Sequence, residues 1–195
     1  MSVQQSLFVL ADPGKCSGCR ACEVACFAGH RAEKTKTVGT ITSPVIPRLY
    51  LAKNGGICMP VQCHHCEDAP CKKSCLTGAI ERKDGVVVIN ERKCIGCRNC
   101  AISCPFGAIE VFSLCEASAF ETNCSRKVTP KIVFKCDLCT GETEPACVKT
   151  CPNEALRLVD AQSEIVDKRI NAINAFGAYN PPAQSAAAAS AGGAK

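Results

Sequence analysis

Cysteine spacing constrains this chain more than any other feature. Of its 195 residues 19 are Cys, and 16 of these fall into four groups of four. Group one is Cys16, Cys19, Cys22 and Cys26; group two is Cys63, Cys66, Cys71 and Cys75. Group three is Cys94, Cys97, Cys100 and Cys104; group four is Cys136, Cys139, Cys147 and Cys151. Cys58, Cys115 and Cys124 stand outside the groups and are expected to be small buried or half-buried residues. A chain this rich in Cys is a disulfide scaffold, a set of zinc modules or a holder of iron–sulfur clusters. It has no Trp, two Tyr and seven Phe, little aromatic bulk for a large core. Metal–thiolate bonds are therefore expected to hold it together.

Groups one and three have the C-x2-C-x2-C-x3-C spacing of bacterial ferredoxins, and groups two and four widen the second gap to four and seven residues. Three crowded thiolates wrap three corners of a cubane. The fourth points away along the next helical turn, toward a second cluster, so the groups are expected to work in pairs. Pro105 and Pro152 follow the last Cys of groups three and four and start the next segment in an extended form. A zinc-binding scaffold is the alternative of a different class, although all-Cys zinc sites usually come as two separated CxxC pairs. The chain lacks a GxGxxG, a P-loop and a GxSxG motif, and it lacks the C-x3-C-x2-C spacing that leaves one iron open. The expectation is four [4Fe–4S] clusters that pass single electrons, with no catalysis by the chain itself.

The formal net charge of +5 counts the cysteines as neutral. Four oxidised clusters with their thiolates would bring the balance to about −3. Basic residues do not alternate with aromatic ones, so nucleic acid is not an expected partner. The N-terminus reads MSVQQSLFVLADPGKC, without a basic leader, and no apolar run approaches a membrane span. A cytoplasmic protein is expected, in a compartment where thiols do not persist as disulfides.

Short apolar leads at Leu7–Leu10, Val86–Ile89 and Ile132–Phe134 precede groups one, three and four. The stretches LTGAIERKDGVVVIN, PFGAIEVF and PNEALRLVD follow groups two, three and four. Each unit reads as strand, cysteine loop, one or two helical turns, strand. The fold class is α+β: two tandem bacterial-ferredoxin-like modules with pseudo-twofold symmetry. Asn54-Gly55-Gly56 between apolar runs signals a hairpin insertion. Residues 112–131 form a second insertion, with Cys115 and Cys124. Residues 161–180 read as an amphipathic C-terminal helix, with Ile165, Val166, Ile170, Ile173 and Phe176 at helical spacing and Asn180-Pro-Pro as its stop. This stripe either packs on its own domain or serves assembly. Residues 181–195 are Ala/Ser/Gly-rich and expected to be flexible. His64 and His65 lie inside a complete quartet and are expected to support it rather than ligate; His30 receives no assignment. Lys15, Lys93 and Lys135 each precede the first Cys of a group. They have two readings: cations that raise a cluster's potential, or ordinary solvated lysines.

The order of the groups, and the segments VQCHHCEDAPC and KCIGCRNCAISCPFGAI, resemble the four-cluster ferredoxin-like subunits of the hydrogenase and molybdenum-enzyme class. These include the iron–sulfur subunits of formate hydrogenlyase, formate dehydrogenase, dimethyl sulfoxide reductase and carbon monoxide dehydrogenase-linked hydrogenase. The resemblance covers about residues 5 to 160. It implies that group one pairs with group four and group two with group three. Cluster 1 would then take Cys16, Cys19, Cys22 and Cys151, and cluster 2 Cys26, Cys136, Cys139 and Cys147. Cluster 3 would take Cys63, Cys66, Cys71 and Cys104, and cluster 4 Cys75, Cys94, Cys97 and Cys100. Residues 1–57 and 113–160 would form one discontinuous module around 58–112. Two departures stand out: Phe27 follows Cys26 and Leu76 follows Cys75, where Pro is common, and only local backbone differences are expected. The implied partners are a hydrogenase and a formate dehydrogenase or related molybdenum or tungsten subunit, together with homologous small iron–sulfur subunits. The tail is similar to those of soluble, filament-forming hydrogen-dependent carbon dioxide reductase. The alternative is the iron–sulfur subunit of another molybdopterin or carbon monoxide dehydrogenase-linked complex.

Overall fold

A computed structural model of the chain describes residues 7–31, 37, 39, 41, 44–113 and 131–177. Cys115, Cys124, the interior of the second insertion, Asn180-Pro-Pro and the Ala-rich tail lie outside the described residues. The chain forms two compact units, residues 1–161 and 162–195.

Each apolar lead is a strand: β1 is Leu7–Ala11, β5 is Val86–Ile89 and β7 is Lys131–Lys135. The other strands are β2 Tyr50–Asn54, β3 Ile57–Val61, β4 Ile80–Lys83, β6 Ile109–Ser113 and β8 Leu156–Asp160. They pair only in twos: β1 with β8, β2 with β3, β4 with β5 and β6 with β7, all antiparallel. The expected hairpin is β2–β3, with Asn54 opposite Ile57 across the two glycines. A second tight hairpin turns at Asp84-Gly85, joining Lys83 to Val86. Isolated two-stranded ribbons are marginal in water, so their stability comes from what packs between them.

The cysteine loops run into short helices: α1 Ala21–Gly29, α2 Pro70–Lys73, α3 Asn99–Ser103 and α4 Ala146–Thr150. The last three are about one turn long, far below the length at which a helix holds itself. Each instead carries one buried thiol inward, Cys71, Cys100 and Cys147. Cys104 and Cys151 end α3 and α4 in extended backbone, φ/ψ −76°/115° and −68°/112°, as a following Pro demands. No Pro follows Cys26, and α1 runs on to Gly29 with Cys26 inside it.

The interior is three apolar clusters seeded by cysteines. One joins Val9, Leu49 and Leu156 to Cys22, Cys26 and Cys147. A second joins Ala69, Ile80, Val87, Ile109 and Val133 to Cys71 and Cys100. A third is small: Cys63, Ala108 and Cys136, with Cys104 and Leu138 against them. The C-terminal helix α5 spans Ala161–Gly177. Ile165, Val166, Ile170, Ile173 and Phe176 recur along it and are exposed.

Candidate metal centre

The loops that carry the thiols take left-handed turns that glycine alone does not account for. Arg20 (φ 60°) and Arg98 (φ 67°) occupy the same place after the second Cys of groups one and three, each at the start of a helix. Such a conformation costs about 1–2 kcal/mol per non-Gly residue, and it persists only where the surroundings over-determine it. Here the turn directs Cys22 and Cys100, two residues on, into the interior.

Eight of the sixteen grouped thiols line two common cavities, four in each. Cys16, Cys19, Cys22 and Cys151 line one small cavity. Cys75, Cys94, Cys97 and Cys100 line another. Each takes the first three cysteines of one group and the last of another, so the two are copies of one design. The Cys66 and Cys71 thiols are raised by burial and next by neighbouring Cys63, with Cys104 adding to both; Cys71 reaches about 11. Burial, then Cys26 and Cys139, raises Cys147 to about 12. Burial also dominates at Cys136, where Cys147 acts in the same direction. Thiols this reluctant to ionise hold their protons until a metal displaces them.

Backbone amides point at the sulfurs. His65 N, Gly96 N and Leu138 N donate to Cys63, Cys94 and Cys136, the first Cys of their groups, at 3.3–3.5 Å. Ala79 N, Ala108 N and Ala155 N donate to Cys75, Cys104 and Cys151, the last Cys, at 3.3–3.4 Å. Cys26 sits inside a helix and takes its amide from distant Arg48 N instead, at 3.3 Å. Amides fixed on sulfur favour thiolate and stabilise a bound cluster. Tight loops, sulfur-only donor sets and preplaced N–H groups fit [4Fe–4S] clusters. Among the described residues no disulfide consumes a grouped thiol.

Three features around the thiols are built from long-range contacts. The Asp137 carboxylate accepts from His30 Nε2 at 2.9 Å, from Cys139 N at 3.1 Å and from the Arg48 guanidinium. Against burial, which raises it, the His30 hydrogen bond and then the Arg48 charge pull Asp137 down to about 2. His30 rises to about 10, chiefly through Asp137 and then Cys26, and its Nδ1–H donates to Cys26 O at 2.7 Å. His64 stacks between Phe8 and Phe106, with centroids 5.2 and 4.0 Å away. His65 is fully buried, and its Nδ1 accepts from Val87 N at 3.0 Å. Burial, then the charges of Lys135 and Arg82, lower His65 to about 3, so it is neutral. Both histidines flank Cys63 without joining its quartet.

The three lysines before the groups part company. Lys15 and Lys93 are exposed, Lys93 paired with Glu81 at 3.0 Å, whereas Lys135 is buried. Cys58 is half-buried; a Cβ on Gly18 of the group-one loop would lie 3.2 Å from its Sγ.

Ferredoxin-spaced thiols on such loops define an iron–sulfur protein of the electron-transport kind. The chain belongs to the 4Fe-4S dicluster domain family, which matches residues 56–161. It is 42% identical over 156 residues to the "Putative electron transport protein YsaA" of Escherichia coli (strain K12), covering 80% of this chain and 90% of that one. The "Electron transport protein HydN" of the same organism is 38% identical over 154 residues, covering 78% and 87%. "Hydrogenase-4 component A", also from that strain, is 38% identical over 179 residues, covering 80% and 83%. Among the described residues no helix is long and apolar enough to cross a membrane.

Proposed function

We propose that this chain carries four [4Fe–4S] clusters in two tandem ferredoxin-like modules and relays single electrons between redox subunits, without catalysing a reaction itself. One module is residues 1–57 with 113–160 and the other is 58–112. The ligand sets are Cys16, Cys19, Cys22 and Cys151; Cys26, Cys136, Cys139 and Cys147; Cys63, Cys66, Cys71 and Cys104; and Cys75, Cys94, Cys97 and Cys100. The clusters supply reversible one-electron chemistry when bound; the protein supplies thiolates, amide dipoles and exclusion of water.

The observation that carries this reading is the gathering of thiols from distant groups into common sites, above all Cys151 with Cys16, Cys19 and Cys22. Contact between sites supports a relay. Cys22, Cys26 and Cys147 share one core, Cys63 and Cys136 a second, and Cys71 and Cys100 a third. Cys19 and Cys97, in the first and last sets, are exposed, which lets a partner approach both sets. The arginines that follow them, Arg20 and Arg98, line one cleft with Val45, Tyr50 and Phe112, a surface suited to a protein partner. The similarity to "Hydrogenase-4 component A" supports a hydrogenase on one side. The resemblance noted from the sequence supports a formate dehydrogenase on the other, in a cytoplasmic complex assembled through α5.

Anaerobic purification tests the reading. It requires a brown protein with about 16 Fe per chain, whose cubane signals fall by one cluster in Cys136→Ser and in Cys151→Ser. Zinc in place of iron, or about 8 Fe per chain, would sink it.

A further inference from the structure

Lys135 is 4% exposed. Its Nζ donates to Val87 O and to Cys136 O, both at 2.6 Å, and among the described residues it enters no ion pair with a carboxylate. The nearby Asp137 carboxylate is already engaged by His30 and Arg48. A buried ammonium without a counter-charge is heavily penalised, and carbonyl dipoles meet only part of that cost. Something negative must face it.

Two thiol sets do. Lys135 precedes Cys136, and the Cys136 carbonyl holds its Nζ. Val87, which supplies the other carbonyl, packs in the core that contains Cys71. The Lys135 charge favours the thiolate form at both Cys71 and Cys136. Cys63 and Cys136 meet in the small core between the two sets. Lys15 and Lys93, at the matching positions before groups one and three, are exposed; water and, at Lys93, Glu81 screen their charge.

We propose that Lys135 is a shared counter-ion for the two inner clusters, the Cys26/Cys136/Cys139/Cys147 and Cys63/Cys66/Cys71/Cys104 sets, and holds both at a higher potential than a neutral residue would. This rests on the four-cluster reading above. A fixed cation in a low-dielectric interior favours an added electron nearby. The electron itself comes from the reduced donor subunit and leaves to the acceptor. Lys135 thus makes the middle of the relay, rather than its ends, the place where electrons reside.

The test is a spectroscopically monitored redox titration of the full chain, purified anaerobically, as wild type and as K135M, K135Q, K135R and K93M. In K135M and K135Q two of the four midpoint potentials should move to more negative values, with iron content unchanged. K135R keeps the cation and K93M removes only a solvated one; both should titrate like wild type. Neutral variants that hold their iron with unshifted potentials would overturn the proposal, as would equal shifts in all four clusters. Loss of iron from both neutral variants but not from K135R would assign the residue to folding and also overturn it. Wild type with about 8 Fe per chain is a separate failure, of the four-cluster reading itself.

Discussion

Gly96 sits in the group-three loop with φ +64°, and a Cβ built there would lie 2.4 Å from Lys131 Cβ and 2.9 Å from its Cδ. Two costs follow for Gly96→Ala. A left-handed backbone penalises any L side chain by about 1–2 kcal/mol. The clash adds a second cost, because Lys131 Cβ is anchored to β7 and carbon atoms prefer separations near ~3.5–4.0 Å. The strand must retreat by about 1 Å, and overpacking of that kind costs about 1–3 kcal/mol. The total is about 2–5 kcal/mol. For a chain of this size it corresponds to a drop in Tm of about 4–20 °C. Gly107 isolates the first cost: its φ is +61°, with nothing within 4 Å of a built Cβ. Gly107→Ala should therefore lower Tm by only about 2–8 °C. The assay is anaerobic circular-dichroism melting of wild type and both variants at one scan rate, since cofactor-bound proteins commonly unfold irreversibly. Iron content is read alongside. Gly96→Ala should lose iron first from its own loop, whose Gly96 amide donates to Cys94 Sγ at 3.4 Å. Equal Tm values for the two variants would refute the steric half of the reasoning.

Other perturbations separate the remaining elements. Asp137→Asn strands the Arg48 and His30 charges in a partly buried site and should cost about 1–3 kcal/mol, read as a lower Tm and faster iron loss to a chelator. Cys58→Ser should keep the full iron content, because Cys58 lies beside a loop glycine and outside every quartet; a loss of about four Fe would make it a ligand. Stripping the metal should abolish near-UV dichroism and remove the helix signal of α2, α3 and α4, which are only four or five residues long, while that of the 17-residue α5 persists. Deleting residues 161–195 should leave iron per chain unchanged while lowering the oligomer size seen by light scattering; an unchanged size would remove the assembly role of Ile165, Ile170, Ile173 and Phe176.

What the sequence disclosed was local. The 3-residue steps between cysteines, the Asn54-Gly55-Gly56 turn and the apolar leads are short-range patterns, and each corresponds to a described loop, hairpin or strand. The Asp84-Gly85 turn carried as plain a signal and could have been read the same way. Long-range chemistry left no such trace. Arg48 and Asp137 are 89 residues apart, and neither neighbourhood announces the other. The sequence KC recurs at Lys15, Lys93 and Lys135, yet only Lys135 is buried. What distinguishes it is Val87, 48 residues away, whose carbonyl receives its ammonium. The amides on sulfur were likewise invisible except as a consequence of turn geometry. His64 is expected to support its quartet rather than ligate, but nothing in the sequence announces that Phe8 and Phe106 hold its ring between them.

The pairing of β1 with β8 joins Leu7–Ala11 to Leu156–Asp160, and it has a consequence for how the protein is born. On a ribosome adding about 5–20 residues per second, β1 emerges roughly 7–30 s before its partner strand exists. The β4–β5 hairpin, by contrast, closes across two residues as soon as it leaves the exit tunnel. The middle of the chain can therefore mature while its beginning waits. Through that interval the thiols of group one have β2 and β3 beside them, but neither β8 to close over them nor Cys151 to meet. Of the four groups, the first to be made is the last to be enclosed, and its thiols are the longest exposed to oxidants and stray metal.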